Sequence, residues 1–161
     1  MTELKQLAHN LRLADLRAAA KSGCDLSGCL LSAASAHDPD SKQQRAVIRY
    51  LVKGGVSVNE TDKNGVTPLH RAVRFRSLAA VQLLLELGAD VNATDRRSGS
   101  TPLHRAVTNT GAPATADKQA IAAKIAQVLL EQGANASAKN KSGRRPVDYA
   151  KTGAMQSLLH P

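Results

Sequence analysis

"NGVTPLHRAV" (64–73) and "SGSTPLHRAV" (98–107) agree at eight of ten positions and start 34 residues apart. In a chain of 161 residues, such a string is either a duplicated site, with a histidine ready for chemistry, or a repeated building block. The flanking sequence decides for the block. "VQLLLELGADVNATD" (81–95) pairs with "AQVLLEQGANASAKN" (126–140) and with "IRYLVKGGVSVNETD" (48–62), each anchored by a glycine and a small residue at Gly55, Gly88 and Gly133. A period in the thirties that joins two short helical patterns to a turn is a solenoid signature.

Each part of the unit has a physical reason. Thr67 is a good N-cap, and Pro68 occupies the first helical position, where a missing N–H does no harm. Leu69, Ala72 and Val73 then form one apolar stripe, and Val81, Leu84 and Leu85 form a second. Gly88 ends the second helix in the left-handed conformation. "ADVNATDRRSG" (89–99) is polar and turn-rich, an extended link to the next Thr-Pro. One such unit cannot cover both its apolar faces, so neighbours must stack.

On "DKNGVTPLHRAV" (62–73) followed by "VQLLLELGADVNATD" (81–95), the chain resembles the ankyrin-repeat family. The resemblance runs over roughly residues 28–161 and is degenerate at both ends. It implies an all-α fold: a solenoid of stacked antiparallel helix pairs joined by β-hairpin-like loops. The expected organisation is one domain, 1–161. Within it, 4–27 is an N-terminal capping helix, because "GCDLS" (23–27) mimics "GADVN" (88–92). Residues 28–61 are repeat 1 with an insertion, 62–95 repeat 2, 96–142 repeat 3 with an insertion, and 143–161 a C-terminal cap. In that cap Arg145 replaces Thr and Asp148 replaces His. Leu69, Leu84, Leu85, Leu103, Leu129 and Leu130 are expected to be buried.

Two units exceed the pattern. Leu69 to Val81 spans 12 residues, whereas Leu30 to Ile48 spans 18 and Leu103 to Ala126 spans 23. The extra residues fall in "SAHDPDSKQQ" (35–44) and "TNTGAPATADKQ" (108–119), where Asp117 is a candidate N-cap. The second insertion is built of small, chemically mute residues. It reads as a tolerated surface loop, expected to be mobile. Arg76 stands where the family usually has Gly, which implies a strained left-handed residue or a different turn.

Little in the chain points to chemistry. Aromatics are 2% of residues with no Trp, which argues against a base-stacking platform, and 42% hydrophobic content excludes a wholly disordered chain. No glycine-rich phosphate loop occurs. Cys24 and Cys29 are not spaced as a redox or zinc pair. Cys24, in the slot of Ala89, is expected to be buried, and Cys29, in the slot of Pro68, is of open exposure. Asp62 and Asp95 read as turn formers. His9, His37 and His160 have no evident partners. By the resemblance, His70 and His104 belong to a structural motif with Thr67, Pro68, Leu69, Thr101, Pro102 and Leu103, and tie hairpin backbone to helix. No enzyme, cofactor or metal is expected. The N-terminus is amphipathic and unlike a secretory signal, and no apolar run approaches the ~20 residues of a membrane span. A cytoplasmic monomer is the expectation.

Net charge is +9, and residues 61–161 carry 14 basic against 7 acidic side chains. That field attracts acidic partners. The resemblance implies a non-catalytic module for protein–protein interaction, with a concave face made of hairpin tips and first helices. On it fall Arg71 and Arg105, expected side by side in one groove, with Arg74, Lys63, Arg96, Arg97, Lys139, Lys141 and Arg144. Tyr149, in the slot of Arg71, is a candidate contact aromatic. The expected partner is an acidic protein segment. Alternatives are nucleic acid, anionic lipid head groups, an enzyme for which the chain is an accessory subunit, or no specific partner. The resemblance also makes Asn92 a candidate for hydroxylation.

Overall fold

A computed structural model describes residues 2–36, 38, 41–108 and 119–160. Nine α-helices follow one another among these residues: α1 (Thr2–His9), α2 (Leu13–Lys21), α3 (Cys29–Ala34), α4 (Lys42–Lys53), α5 (Pro68–Arg74), α6 (Leu78–Glu86), α7 (Pro102–Val107), α8 (Gln119–Glu131) and α9 (Gly153–Leu159). A 3-10 helix, Pro146–Tyr149, precedes α9. They pair as α1/α2, α3/α4, α5/α6, α7/α8 and the 3-10 helix with α9. First helices touch first helices along one row, α1 to α3 to α5 to α7 to the 3-10 helix, and α2, α4, α6 and α8 form the other. The described residues contain no strand. One apolar cluster runs from Ala8 to Leu159, so the stack has a single continuous core.

The N-terminal segment is a helix pair rather than one capping helix. Leu11 takes a left-handed φ of 56° between α1 and α2 and is itself buried, 8% exposed. Burying its side chain offsets a backbone cost of roughly 1–2 kcal/mol. Arg76 also stands left-handed, at φ 58°. Two of the expected core leucines are displaced. Leu69, Leu84, Leu103 and Leu129 are buried, but Leu85 and Leu130 are half-buried. Each lies about 100° around its helix from Leu84 or Leu129, at the rim of the buried arc. Leu83 takes the place inside instead, at 1% exposed.

Cys24 departs from the expectation and is exposed, and Cys29, whose exposure the sequence leaves open, is buried. The Ala89 slot is only half-buried within the stack, and Cys24 belongs to the end unit, covered from one side. Cys29 holds the slot of Pro68, Pro102 and Pro146, all of them buried. Most of the 108–119 insertion, with Asp117, and His37 lie outside the described residues.

Leu84 is fully buried and Leu85 is not. Leu84→Ala should therefore lower the unfolding free energy by roughly 2–5 kcal/mol in a urea titration. Leu85→Ala should cost less than half as much. Equal losses would show that the two leucines share one environment.

Candidate interaction face

The repeated Thr-Pro-Leu-His string closes a reciprocal cap. The His70 amide donates to Thr67 Oγ1 (3.3 Å), and the Thr67 amide donates to His70 Nδ1 (3.3 Å). His70 Nε2 lies 3.0 Å from the Ser100 carbonyl of the next unit. Thr101 and His104 repeat the arrangement, with His104 Nε2 3.0 Å from the Arg144 carbonyl. A carbonyl only accepts, so Nε2 carries the proton, and Nδ1, which receives an amide, does not. Each ring is thus neutral, capping its own helix on one side and holding the following hairpin on the other. Burial pushes His70 down to about 4, partly opposed by the Ser100 carbonyl, and lowers His104 in the same way. Both ring nitrogens of each histidine are thus taken up by backbone groups. Among the described residues no three His, Cys, Asp or Glu gather as a metal site.

Where a unit lacks the string, a carboxylate supplies the bonds. Repeat 1 has Gly28 and Leu31 in the slots of Thr67 and His70. There Glu60 accepts both the Gly28 amide (2.8 Å) and the Leu31 amide (3.0 Å). In the last unit Asp148 accepts the Arg145 amide at 2.7 Å, which holds its carboxyl below the usual range. Glu60 was not singled out in the sequence. Its signal was the missing Thr and His in a unit that must still close its helix.

Arg71, Arg105 and Tyr149 do fall at equivalent positions, but they point inward to hairpin residues. Arg71 pairs with Asp62 at 2.9 Å and Arg105 with Asp95 at 3.1 Å. Asp62 also accepts the Asn64 and Val66 amides, and Asp95 accepts the amide and hydroxyl of Ser98. Burial alone would raise both carboxyls. The turn amides, the Ser98 hydroxyl and the arginines outweigh it and hold them low. In the last unit Asn140 replaces the acid, and its side-chain amide donates to the Tyr149 hydroxyl at 2.8 Å. Tyr149 is also flanked by Arg144 and by the edge of His104. The two aspartates are therefore more than turn formers, and the two arginines do not face each other as unneutralised charges.

The hairpin tips stack by backbone bonds. The Arg96 amide donates to the Asn64 carbonyl (2.7 Å), and the Lys141 amide donates to the Ser98 carbonyl (2.9 Å). A Cβ on Gly65 would lie 3.0 Å from the Arg96 amide nitrogen, and φ there is +72°, so this close approach requires glycine. The ladder places Lys63, Arg96 and Lys141 at one position of three successive tips, all exposed. Arg97 is the extra residue of the middle tip. Arg74, Lys139 and Arg144 are exposed as well. None of these cations has a salt bridge among the described residues. Asn92, the candidate modification site, bonds by its amide to the Gly133 carbonyl and the Asn135 amide, and so helps to join repeats.

A family model for ankyrin repeats (3 copies) matches residues 16–95 and 42–140. The ankyrin repeat protein FPV031 of Fowlpox virus is 41% identical over 106 residues, 65% of this chain and 28% of its own length. Mouse Rabankyrin-5 is 33% identical over 66% of this chain and 9% of its own length. The Notch protein of Drosophila melanogaster is 36% identical over 76% of this chain and 4% of its own. The chain thus spans a small part of the relatives it matches. Ankyrin repeats are general protein–protein interaction modules, and the family is generally non-enzymatic. No helix among the described residues is long and apolar enough to cross a membrane.

The buried imidazoles set a pH dependence. An unfolded histidine binds a proton near 6.5, whereas folded His70 does so only near 4. Stability is therefore full above pH 6.5 and falls as pH drops toward 4, by about 3 kcal/mol at most for His70. The thermal midpoint should fall through this window, and the double variant His70→Gln/His104→Gln should show a flatter dependence. Identical slopes would remove the histidines from the acid response. Arg105→Glu faces Asp95, 1% exposed, with a like charge. It should cost roughly 2–4 kcal/mol in denaturant unfolding, short of a fully buried pair because Arg105 is partly wet.

Proposed function

The chain belongs to the ankyrin-repeat family, and we propose that it is a non-catalytic protein-interaction module whose hairpin-tip cations receive an acidic segment of a partner. The observation that supports this most is the register of Lys63, Arg96 and Lys141 along the stacked tips. These cations are exposed and without salt bridges among the described residues. Neighbouring units stand roughly 10 Å apart, close to one Debye length at physiological salt, so the fields of adjacent tips overlap. An extended carboxylate-bearing segment lying across the tips would meet one cation per unit. Arg74, Arg97, Lys139 and Arg144 border the row, and Arg71, Arg105 and Tyr149 form its half-buried floor.

The internal ion pairs sharpen the choice of contacts. Arg71 and Arg105 are already neutralised, so a ligand carboxylate gains less from them than from an unpaired cation. The scarcity of aromatics, 2% of residues, favours an acidic peptide over single-stranded nucleic acid, which binds largely by stacking.

The triple variant Lys63→Glu/Arg96→Glu/Lys141→Glu tests the row. Glutamate keeps the Cβ and Cγ atoms that lie against Gly65 and Gly99, so the tips should still stack. With a fluorescein-labelled deca-glutamate peptide as probe, anisotropy should show wild-type binding that weakens as salt rises. The variant should bind at least tenfold more weakly, with a thermal midpoint lowered only slightly, by loss of the Lys141 Nζ bond to the Arg96 carbonyl. Equal affinity in wild type and variant would overturn the assignment. Tighter wild-type binding to random duplex DNA than to the peptide would favour nucleic acid as the partner.

A further inference from the structure

The two units that carry insertions end their first helices differently from the unit between them. In the middle unit α5 closes on its own backbone. The Arg76 amide donates to the Val73 carbonyl and the Ser77 amide to the Ala72 carbonyl, both at 3.1 Å, a closure that needs the left-handed Arg76. No described residue at the ends of α3 or α7 is left-handed, and side chains from elsewhere meet their last carbonyls. Gln44, 1% exposed, donates to the Ala33 and Ala36 carbonyls at 2.9 and 3.0 Å. Arg76, 7% exposed, donates to the Ala106 carbonyl at 2.8 Å and the Thr108 carbonyl at 2.9 Å, with a longer contact to the Arg105 carbonyl. The helix dipole favours a cation at a helix C-terminus, and so favours the Arg76 guanidinium at the end of α7.

The two caps are joined. The Ser77 hydroxyl donates to Gln44 Oε1 at 2.7 Å, and Ser77 is the next residue after Arg76. Its oxygen also accepts the Ala80 amide as the N-cap of α6. One polar chain therefore runs from the end of α3 through Gln44, Ser77 and Arg76 to the end of α7, spanning three units. Ala36, Arg76 and Ser77 also line one cavity of about 510 Å³, so the end of α3 and the Arg76–Ser77 turn face a common space.

We propose that the Arg76–Ser77 turn couples the ends of α3 and α7, so that order imposed on one helix end is transmitted to the other. A hydrogen bond joins Gln44 to Ser77 and one peptide bond joins Ser77 to Arg76, so a shift of the turn that serves one helix end moves the group that serves the other. A partner that tightens the end of α3, residues 33–36, tightens the end of α7, residues 105–108, and by linkage the reverse holds. This device does not depend on the hairpin-tip row, which lies at the other end of the helices.

Amide hydrogen exchange of the intact chain, read residue by residue in wild type, Arg76→Gly and Gln44→Met, tests the coupling. Arg76→Gly suits the left-handed backbone better than arginine, so a loss of protection cannot come from backbone strain. It should speed exchange of amides 105–108 about tenfold, and that of amides 33–36, which Arg76 does not touch, at least threefold. Gln44→Met should do the converse. Amides of α1 serve as the reference for general loosening. The coupling is overturned if each variant affects only the helix end that its own side chain caps, or if the distant end changes no more than α1. Should Arg76→Gly fail to fold, Gln44→Met alone decides through amides 105–108.

Discussion

A neutral imidazole placed between two backbones holds this stack together. His70 uses Nδ1 to receive the amide that starts its own helix and Nε2 to hold the Ser100 carbonyl of the following hairpin. One side chain thereby satisfies a helix N-terminus, which lacks intrahelical partners, and fixes where the next unit begins. The Asp62–Arg71 and Asp95–Arg105 pairs complete the frame by tying each hairpin to the helix that follows it. With helix and hairpin locked in this way, successive tips come close enough for amide-to-carbonyl bonds between Arg96 and Asn64 and between Lys141 and Ser98. The exposed cations of the tips inherit their spacing from that frame.

The units that depart from the pattern show which bonds are obligatory. Glu60, at the far end of the same unit, does for Gly28 and Leu31 what Thr67 and His70 do for each other. Asp148 does so for Arg145, and Asn140 with Tyr149 replaces an ion pair by a neutral bond of similar reach. The residue types vary, while the orphan amides of the helix starts stay satisfied. The same logic extends to the helix ends, where Gln44 and Arg76 serve the helices that precede insertions.

The repeat, the helix pairs and the role of Thr-Pro-Leu-His were readable in the sequence, because capping, apolar periodicity and a duplicated string are local signals. What failed was tertiary. Leu85 and Leu130 carry the right character at the wrong angle, and only the packing arc shows it. Cys24 copies a slot whose cover depends on a neighbour that the end unit lacks. Leu11 breaks the N-terminal segment into two helices, and a leucine in the left-handed position does not announce the turn. Arg71 and Arg105 looked like free ligands because their partners sit 9 and 10 residues upstream, across a hairpin that sequence spacing does not fold. The departure at Arg76 was visible as an oddity, but its guanidinium acts on carbonyls about 30 residues away.

The most direct test of this account is the protonation state of the two bridging imidazoles. Nitrogen-15 NMR of ring-labelled protein at pH 7 should show His70 and His104 as neutral rings with the proton on Nε2, and His70 should stay neutral on acidification until about pH 4. A proton on Nδ1 at pH 7, or ordinary titration of His70 near 6.5, would contradict it. Thr67 and Ser100 could not then both be held by the same ring, and the link between cap and stack would have to lie elsewhere.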